Sequence, residues 1–559
     1  MVSLQDLDTK RLVDNDKDSD HPNTPNFAVH KKFNNNLLFF MISVLLVSAL
    51  AGGLVFALDG GKDSSKGSSP TNVPADVWLT TCSTQGDLLA LLQKQEDPSS
   101  ISAGSTSASK LTIQIDPDLT LQNIVGYGAG LPQSSAFVLV SLKEKNATLY
   151  WSVMHNLFDP ITGAGLSFIR FPIGSCDFSM TNTSYDEVDG DYELNSWAID
   201  PDSEYIVTVL QDAVKINPLI SIMATPWSAP SWMKEWDSLL GLNERNTLIN
   251  TTQIYESYAN YLKKTIDTFK IEKGLVISYI SLENEPLFGD NKEYPGMYLS
   301  SGDANGLGSI VKQVIGEQVN ILSYDHNWDA FEYPLDNLNA QALNAQTIFN
   351  GTAWHCYAGD MATALDTLRA AYPDMPQFIT ECTGSFPDNE CNISRGMDDF
   401  CGNHEWDMQN LFLGAAAHGS SSGVKWIMAL DENCGPTLPL VSYKNGRPFI
   451  SIPTDVKRED DIKFNQDFWT TMHMSKFIQP GSVRIGSTVT TSDSSNFLSE
   501  SFYDIKRNVI TCVTMNLDSA TPLTFSVYFG SSKVILYNYV IPQRSTIIFE
   551  WDYDVFVSL

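Results

Sequence analysis

Between residues 126 and 465 the sequence alternates between two kinds of segment, and this alternation restricts the fold more than any other feature. Segments such as 203–217 and 253–271 repeat apolar residues every three or four positions, which predicts amphipathic helices. Short runs that are apolar almost throughout predict strands buried on both faces, at 165–174, 219–227, 275–282, 347–357, 377–382 and 424–430. This alternation predicts an α/β fold with a parallel sheet, and its length of about 340 residues favours a (β/α)8 TIM barrel over a doubly wound sheet.

Residues 479–559 differ from this pattern, because short β-rich runs follow one another without a helical interval. Their spacing is typical of a β-sandwich. The strand-like segment 111–115 and its upstream neighbours precede the first barrel strand and would otherwise have no sheet to join. We therefore predict a barrel at 121–478 with an appended all-β sandwich, formed by strands from 76–120 together with residues 479–559.

Residues 37–58 are 22 consecutive residues without a charge, and no other run in the sequence is comparable. At about 1.5 Å per residue, a helix of this length crosses a hydrocarbon layer of roughly 30 Å. A small-residue motif ending at Ala57 resembles a signal-peptide cleavage site, but the long polar leader favours an uncleaved anchor. Two lysines precede the run, so the N-terminus should stay cytoplasmic.

These features predict a single-pass type II membrane protein, with a cytoplasmic tail at 1–36, a transmembrane helix at 37–58 and a linker at 59–75. The remaining chain would then be extracellular or lumenal, and cleavage of the apolar segment would instead give a secreted protein. Eight cysteines suit a compartment in which disulfides persist, although the sequence does not give their pairing. Five sequons also predict glycosylation there, at Asn146, Asn182, Asn250, Asn350 and Asn392.

The charge balance restricts the partners of the protein. The sequence has 66 acidic and 35 basic residues, a formal net charge of −31, and so lacks the cationic surface that nucleic-acid binding needs. Neither a CxxC pair nor an HExxH motif occurs, so no metal site is predicted. The sequence gives no indication of the oligomeric state.

Two of the predicted strands end in glutamates, and the carboxyl ends of barrel strands are where functional side chains meet. Glu283, Asn284 and Glu285 follow one run, and Glu381 lies at the end of another. A pair of carboxylates is what glycoside hydrolysis requires, one to protonate the leaving oxygen and one to stabilise or attack the anomeric carbon. Glu283 and Glu285 have the same parity along a strand, so the pattern leaves open which of them takes part. The alternative is that these glutamates only solvate the rim.

Aromatic residues at other strand ends favour a carbohydrate site over the alternative that the glutamates only solvate the rim. Trp227, His355, Tyr357 and Trp426 all follow or end predicted strands. Sugars present flat C–H faces that stack on aromatic rings, so such a cleft suits a carbohydrate. The segment 126–130 lacks the glycine spacing of a dinucleotide-binding motif, and we interpret it as a tight turn.

From about Gly126 to the C-terminus, the chain resembles glycoside hydrolase family 30, the family of lysosomal-type glucosylceramidase and fungal endo-β-1,6-glucanases. The matching segments, in order, are GYGAG (126–130), FIRFPIGSCDFS (168–179), ATPWSAPSW (224–232), ENEP (283–286), WHCY (354–357), TEC (380–382), KWIMAL (425–430) and SKFIQPGSVRI (475–485). The resemblance implies a barrel that carries a β-sandwich built from N- and C-terminal strands. Pro132-Gln133 and Thr437 depart from the pattern of glucosylceramidases, which leaves the identity of the leaving group open.

The same resemblance implies the roles of individual residues. Glu285 would be the acid/base, kept protonated by apolar surroundings. Glu381 would be the nucleophile, which Arg170 would keep ionised and Tyr357 would hydrogen-bond. Substrate-binding residues would be Arg170, Asp177, Trp227, Asn284, His355, Tyr357 and Trp426. The resemblance implies neither a metal ion nor an organic cofactor.

Together these observations predict a retaining β-glycosidase that cleaves β-linked glucose by double displacement. The substrate we favour is an extracellular or cell-wall β-1,6-glucan, cut by an endo-β-1,6-glucanase. Glucosylceramide is the alternative substrate, because an anchor would hold the barrel at a bilayer. A catalytically silent carbohydrate-binding protein is a third possibility, against which the survival of both glutamates argues.

Overall fold

The structure is a computed structural model that describes residues 75–95, 111–241, 245–344, 347–387, 390–490, 496–530 and 534–554. Within these ranges, no helix has both the length and the apolar character needed to cross a membrane. The predicted cytoplasmic tail, the apolar segment 37–58 and residues 59–74 of the predicted linker lie outside the described residues. The anchor therefore stays a prediction.

The strands, in chain order, are β1 (Asp76–Cys82), β2 (Leu88–Lys94), β3 (Leu111–Asn123), β4 (Gly126–Gly130), β5 (Phe168–Ile173), β6 (Ser221–Pro226), β7 (Tyr279–Ser281), β8 (Asn320–Asn327), β9 (Gly351–His355), β10 (Gln377–Glu381), β11 (Gly384–Ser385), β12 (Ser420–Lys425), β13 (Ala429–Leu430), β14 (Gly446–Arg447), β15 (Ile450–Ser451), β16 (Lys463–Phe464), β17 (Val483–Thr490), β18 (Phe497–Asp504), β19 (Val509–Asn516), β20 (Leu523–Phe529), β21 (Val534–Ile541) and β22 (Ser545–Asp552). The α-helices are α1 (Gln133–Lys145), α2 (Ala147–Phe158), α3 (Ser203–Ile216), α4 (Thr252–Ile271), α5 (Ser301–Ile315), α6 (Glu332–Asn344), α7 (Met361–Ala371), α8 (Phe400–Asn410), α9 (Leu413–Ala417) and α10 (Gln466–Ser475).

Eight parallel strands close into a barrel in the order β4, β5, β6, β7, β8, β9, β10 and β12, with β12 pairing back onto β4. At least one helix separates each barrel strand from the next, and α10 follows the last. Small and large apolar side chains such as Phe168, Met223 and Phe378 fill the interior. The predicted (β/α)8 barrel is therefore confirmed, and the doubly wound alternative is wrong because the sheet has no open edge.

The segment Gly126–Gly130 is strand β4, and its interpretation as a tight turn is wrong. Its glycines are explained by close packing. A Cβ on Gly128 would lie 1.8 Å from the carbonyl oxygen of Phe168, and one on Gly130 would lie 2.1 Å from the indole of Trp426. Only a residue without a side chain allows these neighbours to approach so closely.

Helix α4 shows how the sequence pattern produces the outer ring of the barrel. The hydroxyl of Thr251 accepts a hydrogen bond from the Ile254 amide at 3.3 Å, which caps the start of the helix. Apolar residues such as Ile254, Tyr258 and Leu262 face inward, and lysines and acidic residues take the opposite side. Helices α3 and α4 occupy the segments in which amphipathic helices are predicted.

The remaining long strands form one nine-stranded sheet in the order β2-β1-β22-β19-β18-β17-β3-β20-β21. Strand β1 pairs with β22, and β3 lies between β17 and β20, so N-terminal and C-terminal strands build the sheet together. Phe525 on β20 and Phe549 on β22 have ring centroids 6.1 Å apart although four strands separate them in the sheet order. The sheet therefore folds over itself and encloses its own apolar core.

The nine-stranded sheet and its core form the β-domain, which is attached to the barrel by covalent and polar contacts. A disulfide joins Cys82, at the end of β1, to Cys401 in α8. Two buried histidines beside it bond threonines of the sheet, His404 to Thr546 at 2.9 Å and His473 to Thr80 at 2.7 Å. Burial lowers the pKa of His473 to about 4, against the raising effect of its bond to a backbone carbonyl.

Candidate active site

Arg170, on β5, lies at the centre of the carboxyl end of the barrel and is fully buried. Its guanidinium donates hydrogen bonds to Glu381 Oε2 at 2.6 Å, to Asn284 Oδ1 at 2.6 Å and to Asp325 Oδ2 at 2.9 Å. The planar fork of an arginine suits several carboxyl and amide acceptors at once. Arg170 thereby joins four barrel strands or their ends, which the sequence separates by up to 211 residues.

Glu381 is the last residue of β10, and its side chain is 8% exposed at the mouth of the barrel. Arg170 bonds one carboxylate oxygen, and the hydroxyl of Tyr357 donates to the other at 2.8 Å. The same hydroxyl lies 2.8 Å from Thr383 Oγ1. Glu381 is therefore held from two sides, with one donor from the barrel interior and one from the loop after β9.

Glu285 lies opposite Glu381, and one oxygen of each carboxylate lies within 4.8 Å of the other. The side chain of Glu285 is 13% exposed, and its Oε1 faces the Nδ1 atom of His355 at 3.2 Å. Two carboxyl groups about 5 Å apart leave room for an anomeric carbon between them but not for an additional water. The separation therefore suits a glycosidase that retains configuration.

His355 bridges two carboxylates through its two ring nitrogens. Nδ1 lies 3.2 Å from Glu285, and Nε2 lies 3.1 Å from Asp325 Oδ1. Burial alone would lower the pKa of His355, but the charge of Glu381 and the bonds to Asp325 and Glu285 raise this pKa to about 9. The imidazole is therefore a cation at neutral pH.

The cation affects the neighbouring carboxyl groups. Burial alone would raise the pKa of Glu285, but the hydrogen bond to His355 and nearby positive charges lower it below its ordinary value. The expectation that apolar surroundings keep Glu285 protonated is therefore wrong, because these positive partners outweigh burial. Burial would likewise raise the pKa of Asp325, but the Arg170 charge and the His355 bond hold it far below its ordinary value. Both groups illustrate how a positive partner outweighs desolvation.

Asp325 is fully buried on β8 and is a residue that the sequence analysis missed. It accepts hydrogen bonds from Arg170, His355, Ser281 Oγ at 2.7 Å and Thr380 Oγ1 at 2.6 Å. Tyr324 and Asp325 have φ values of 80° and 67°, and the β8–β9 register shifts between Tyr324 and His326. Such an irregularity re-aims a side chain, here into the barrel.

The structure distinguishes Glu283 from Glu285. Both residues lie beyond the end of β7 at Ser281, and Glu285 has a φ of 51°, so strand alternation does not apply and the two side chains have different surroundings. Glu283 is 1% exposed and lines a small cavity of about 10 Å³ together with Leu299 and Phe349. Burial raises its pKa well above the ordinary value, against the lowering effect of Lys234. Glu283 is thus outside the pair that meets at the mouth.

Asp177, in the loop after β5, is 6% exposed and lies on the same side of the site. Its Oδ2 accepts a short hydrogen bond from the Tyr443 hydroxyl, whereas its buried Oδ1 has no hydrogen-bond partner among the described residues. Burial raises the pKa of Asp177 to about 7, against the lowering effect of Tyr443. A buried oxygen without a partner is costly, so this atom suits a ligand hydroxyl.

Trp227 and Trp426 stack on each other beneath the guanidinium. Their ring centroids are 5.3 Å apart at an interplanar angle of 29°, and each is 3% exposed. The Arg170 Cζ atom lies 4.8 Å from the Trp227 ring, a cation–π distance. The structure thus brings together every candidate catalytic and substrate-binding residue of the sequence analysis, with Asp325 and Tyr443 added.

Two disulfides support the loops of the site, Cys356–Cys382 and Cys391–Cys434, and a third, Cys82–Cys401, lies at the domain junction. Cys176 and Cys512 are free and buried. Among the five sequons, Asn182, Asn250 and Asn392 are exposed, whereas Asn146 and Asn350 are half-buried. Glycosylation stays a prediction.

The spacing of Glu285, His355 and Glu381 alone could suit a cation, since one ligand atom of each lies within 4.8 Å of the others. Both ring nitrogens of His355 already face carboxylates, however, Glu285 at 3.2 Å and Asp325 at 3.1 Å, so the imidazole bridges these two groups. The arrangement therefore favours acid–base chemistry on a neutral substrate.

Comparison with known proteins agrees with this geometry. An endo-1,6-beta-D-glucanase of Neurospora crassa is 28% identical over 400 residues, which cover 69% of this chain and 76% of that protein. An endo-1,6-beta-D-glucanase of Trichoderma harzianum is 29% identical over 422 residues, with coverages of 69% and 76%. The lysosomal acid glucosylceramidase of Mus musculus is 24% identical over 402 residues, with coverages of 69% and 74%.

Among solved structures, the endo-beta1,6-glucanase BT3312 superposes with a TM-score of 0.72 at 22% identity, covering 86% of this chain and all of that one (100%). At this identity the likeness concerns the fold alone. The glycosyl hydrolase family 30 TIM-barrel domain matches residues 124–478, which is more than half of the chain. The resemblance stated from the motifs is therefore confirmed, and this protein belongs to glycosyl hydrolase family 30.

Proposed function

We propose that this protein is a retaining endo-β-1,6-glucanase in which Glu381 is the nucleophile and Glu285 the acid/base. The observation that carries the proposal is the approach of these two carboxylates to within 4.8 Å, at the mouth of the barrel. The sequence similarity to two fungal endo-1,6-beta-D-glucanases supports the choice of β-1,6-glucan.

In the first step, a Glu381 oxygen attacks the anomeric carbon while Glu285 donates its proton to the glycosidic oxygen, whose bond to that carbon breaks. Arg170 and Tyr357 orient the Glu381 carboxylate, with donor distances of 2.6 and 2.8 Å. Since Glu285 Oε1 faces His355, its other oxygen carries the proton to the leaving group; because the pKa of Glu285 is lowered, the protonated form that donates becomes more abundant as the pH falls. The products are a glycosyl-enzyme and a shortened glucan.

In the second step, Glu285 accepts a proton from a water molecule, which attacks the anomeric carbon and releases Glu381. The protonated His355 stabilises Glu285 as the carboxylate that this step needs. Asp177 Oδ1 would bond a hydroxyl of the sugar bound above Trp227 and Trp426. The residues of the site therefore have two tasks: some hold the sugar, and Glu285 moves one proton in each direction.

The mechanism is tested by following a linear β-1,6-glucan with proton NMR, because the anomer released first reports the stereochemistry. The expected first product is the β-anomer, and an initial α-anomer would contradict the assignment of Glu381 as a nucleophile. Glu381→Gln should lower kcat by at least about 10³-fold. A folded Glu381→Gln variant with unchanged turnover would overturn the proposal, and glucan binding by the wild type without any product would favour a binding protein.

The substrate is tested by comparing linear β-1,6-glucan with glucosylceramide in detergent micelles. Turnover of the glucan to a ladder of oligosaccharides supports endo action, whereas release of glucose alone indicates exo action. Glucosylceramide is the second candidate because the chain is also similar to glucosylceramidases and carries a predicted anchor at 37–58. Turnover of the lipid alone would reverse the order of the two candidates.

We further propose that the catalytic domain is extracellular or lumenal and held at a membrane by the segment 37–58. The disulfides and the three exposed sequons support this location, because both features belong to compartments outside the cytosol. Glycosidase treatment of the protein purified from its host should lower its apparent mass, and an unchanged mass would argue against lumenal passage.

A further inference from the structure

A disulfide joins the ends of the two strands that carry His355 and Glu381. Cys356 follows His355, the last residue of β9, and Cys382 follows Glu381, the last residue of β10. The two Cα atoms are 5.4 Å apart. The crosslink therefore lies one residue beyond the point at which both strands leave the sheet.

The residues on either side of each cysteine contact one another in the active site. The hydroxyl of Tyr357 bonds both Glu381 Oε1 and Thr383 Oγ1, each at 2.8 Å. His355 Nδ1 lies 3.8 Å from Glu381 Oε1. The disulfide thus ties the triplet 355–357 to the triplet 381–383, and the bond between Tyr357 and Glu381 spans the same gap.

Tyr357 depends on such a tie because it lies beyond the β9–β10 ladder, whose last register pair is His355 with Glu381. The tyrosine is 41% exposed, and its amide donates to the side chain of Asn327 at 3.0 Å. A residue held by a side-chain contact at an exposed position samples more positions than one held by a ladder. The covalent bond at the preceding residue restricts that motion.

The loop lengths rank the three disulfides by their expected effect on global stability. Cys356–Cys382 closes 26 residues, against 43 for Cys391–Cys434 and 319 for Cys82–Cys401. In the chain-entropy description, the shortest loop restricts the unfolded chain least. The crosslink with the smallest expected effect on unfolding is therefore the one that joins the neighbours of the nucleophile.

We propose that Cys356 and Cys382 are a positioning pair, whose disulfide holds the Tyr357 hydroxyl on Glu381 in the geometry needed for attack. The inference rests on the proposed function of Glu381 as the nucleophile. The oxidised protein is then the fully active form, and loss of the disulfide lowers the rate of glycosyl-enzyme formation rather than the affinity for glucan.

The test compares Cys356→Ser/Cys382→Ser, Tyr357→Phe and the triple variant. A hydrogen bond to a charged group corresponds to a rate factor of about 10 or more, so kcat and kcat/KM should fall together by about tenfold in the disulfide variant. Labelling of Glu381 by a 2-deoxy-2-fluoro-β-glucoside should slow by the same factor. In the Tyr357→Phe background, removal of the disulfide should lower kcat by less than about twofold, because both changes act through the same hydrogen bond between Tyr357 and Glu381.

Cys82→Ser/Cys401→Ser is the matched control, since it removes a disulfide outside the site and should leave kcat/KM unchanged. If the double variants do not fold, mild reduction of the wild-type enzyme replaces them, with each disulfide followed by mass spectrometry. Activity should then fall as Cys356–Cys382 opens and return on reoxidation.

Wild-type kcat in the folded Cys356→Ser/Cys382→Ser variant, or in enzyme with this disulfide reduced, would overturn the inference. An equal loss in the Tyr357→Phe background would also overturn it. These failures are separate from failure of the proposed function, because Glu381→Gln would still be inactive.

Discussion

Arg170→Met removes the buried guanidinium that Asp325 and Glu381 share while leaving an unbranched side chain in its place. The donors lie 2.9 Å from Asp325 and 2.6 Å from Glu381, and both carboxylates are almost completely buried. Breaking a buried pair from one side costs about 3–5 kcal/mol, because the remaining charge has no partner. Glu381 lies at the mouth, where solvent can partly screen its charge. We therefore expect the free energy of unfolding to fall by about 4 kcal/mol at pH 7, in the middle of this range.

The loss should depend on pH through Asp325. The Arg170 charge outweighs burial and keeps the pKa of Asp325 below its ordinary value, so the pair contributes stability above about pH 4 and loses it as the pH falls. Without Arg170, the bonds from His355 and Thr380 still lower the pKa of Asp325, but burial is opposed less strongly, so this pKa should rise and the group should take up a proton at a higher pH than in the wild type. The difference in unfolding free energy between wild type and variant should therefore shrink from pH 7 toward pH 4.5.

Urea unfolding at the two pH values measures this difference, and at pH 7 the midpoint should fall by about 1 M or less, because the m-value grows with chain length. Arg484→Met is the matched control, because Arg484 is also buried and bonds Glu500 at 2.6 Å in the β-domain. That variant should lose stability but keep its kcat/KM. A loss below about 1 kcal/mol for Arg170→Met, or an equal loss at both pH values, would refute the assignment of Arg170 as the counter-charge of Asp325.

Three further predictions concern single residues of the site and the domain junction. Glu283→Gln should keep turnover within about threefold of wild type, whereas Glu285→Gln should lose at least about 10²-fold on substrates with poor leaving groups, because only Glu285 faces the cleft. The bond to His355 lowers the pKa of Glu285, so kcat/KM should decline as the pH rises from acid toward neutrality. Because His355→Gln removes this bond, the decline should shift to higher pH. An unshifted pH profile would contradict the coupling between His355 and Glu285. His473 has a pKa lowered to about 4 and should contribute stability above pH 6.5 that is lost as the pH falls toward 4; unfolding of His473→Gln should show a weaker pH dependence over this range, and an unaltered dependence would count against it.

The barrel could be predicted from the sequence because hydrophobic periodicity is a local property. Each buried strand needs a short apolar run, and each outer helix needs an apolar stripe, whatever the rest of the chain does. The same reasoning located Glu285 and Glu381, since a polar residue that ends an apolar run lies at the carboxyl end of a strand. The interpretation of 126–130 as a tight turn was wrong because its glycines are required by close contacts with the Trp426 ring and the Phe168 backbone, both distant in sequence.

Strand β8 carries few apolar residues, NILSYDHN, so a search for apolar runs missed it and Asp325 with it. A carboxylate can be buried there because Arg170, 155 residues earlier, supplies its counter-charge. Tyr443 was missed for a similar reason, as its contact with Asp177 spans 266 residues. In both cases the residue can be recognised as part of the site only from its distant partner, because the local sequence pattern does not mark it.

The order of apolar and polar residues along the chain is enough to predict the barrel, the β-rich character of the C-terminal domain and the two strand ends that carry glutamates. The residue pattern left Glu283 and Glu285 equivalent and the family resemblance favoured Glu285; the tertiary structure separates them physically, because both lie beyond β7 and Glu285 has a left-handed backbone. It also decided which six of the eight cysteines pair. Charge pairs and disulfides depend on distances between residues far apart in the chain, and closure of the barrel fixes those distances.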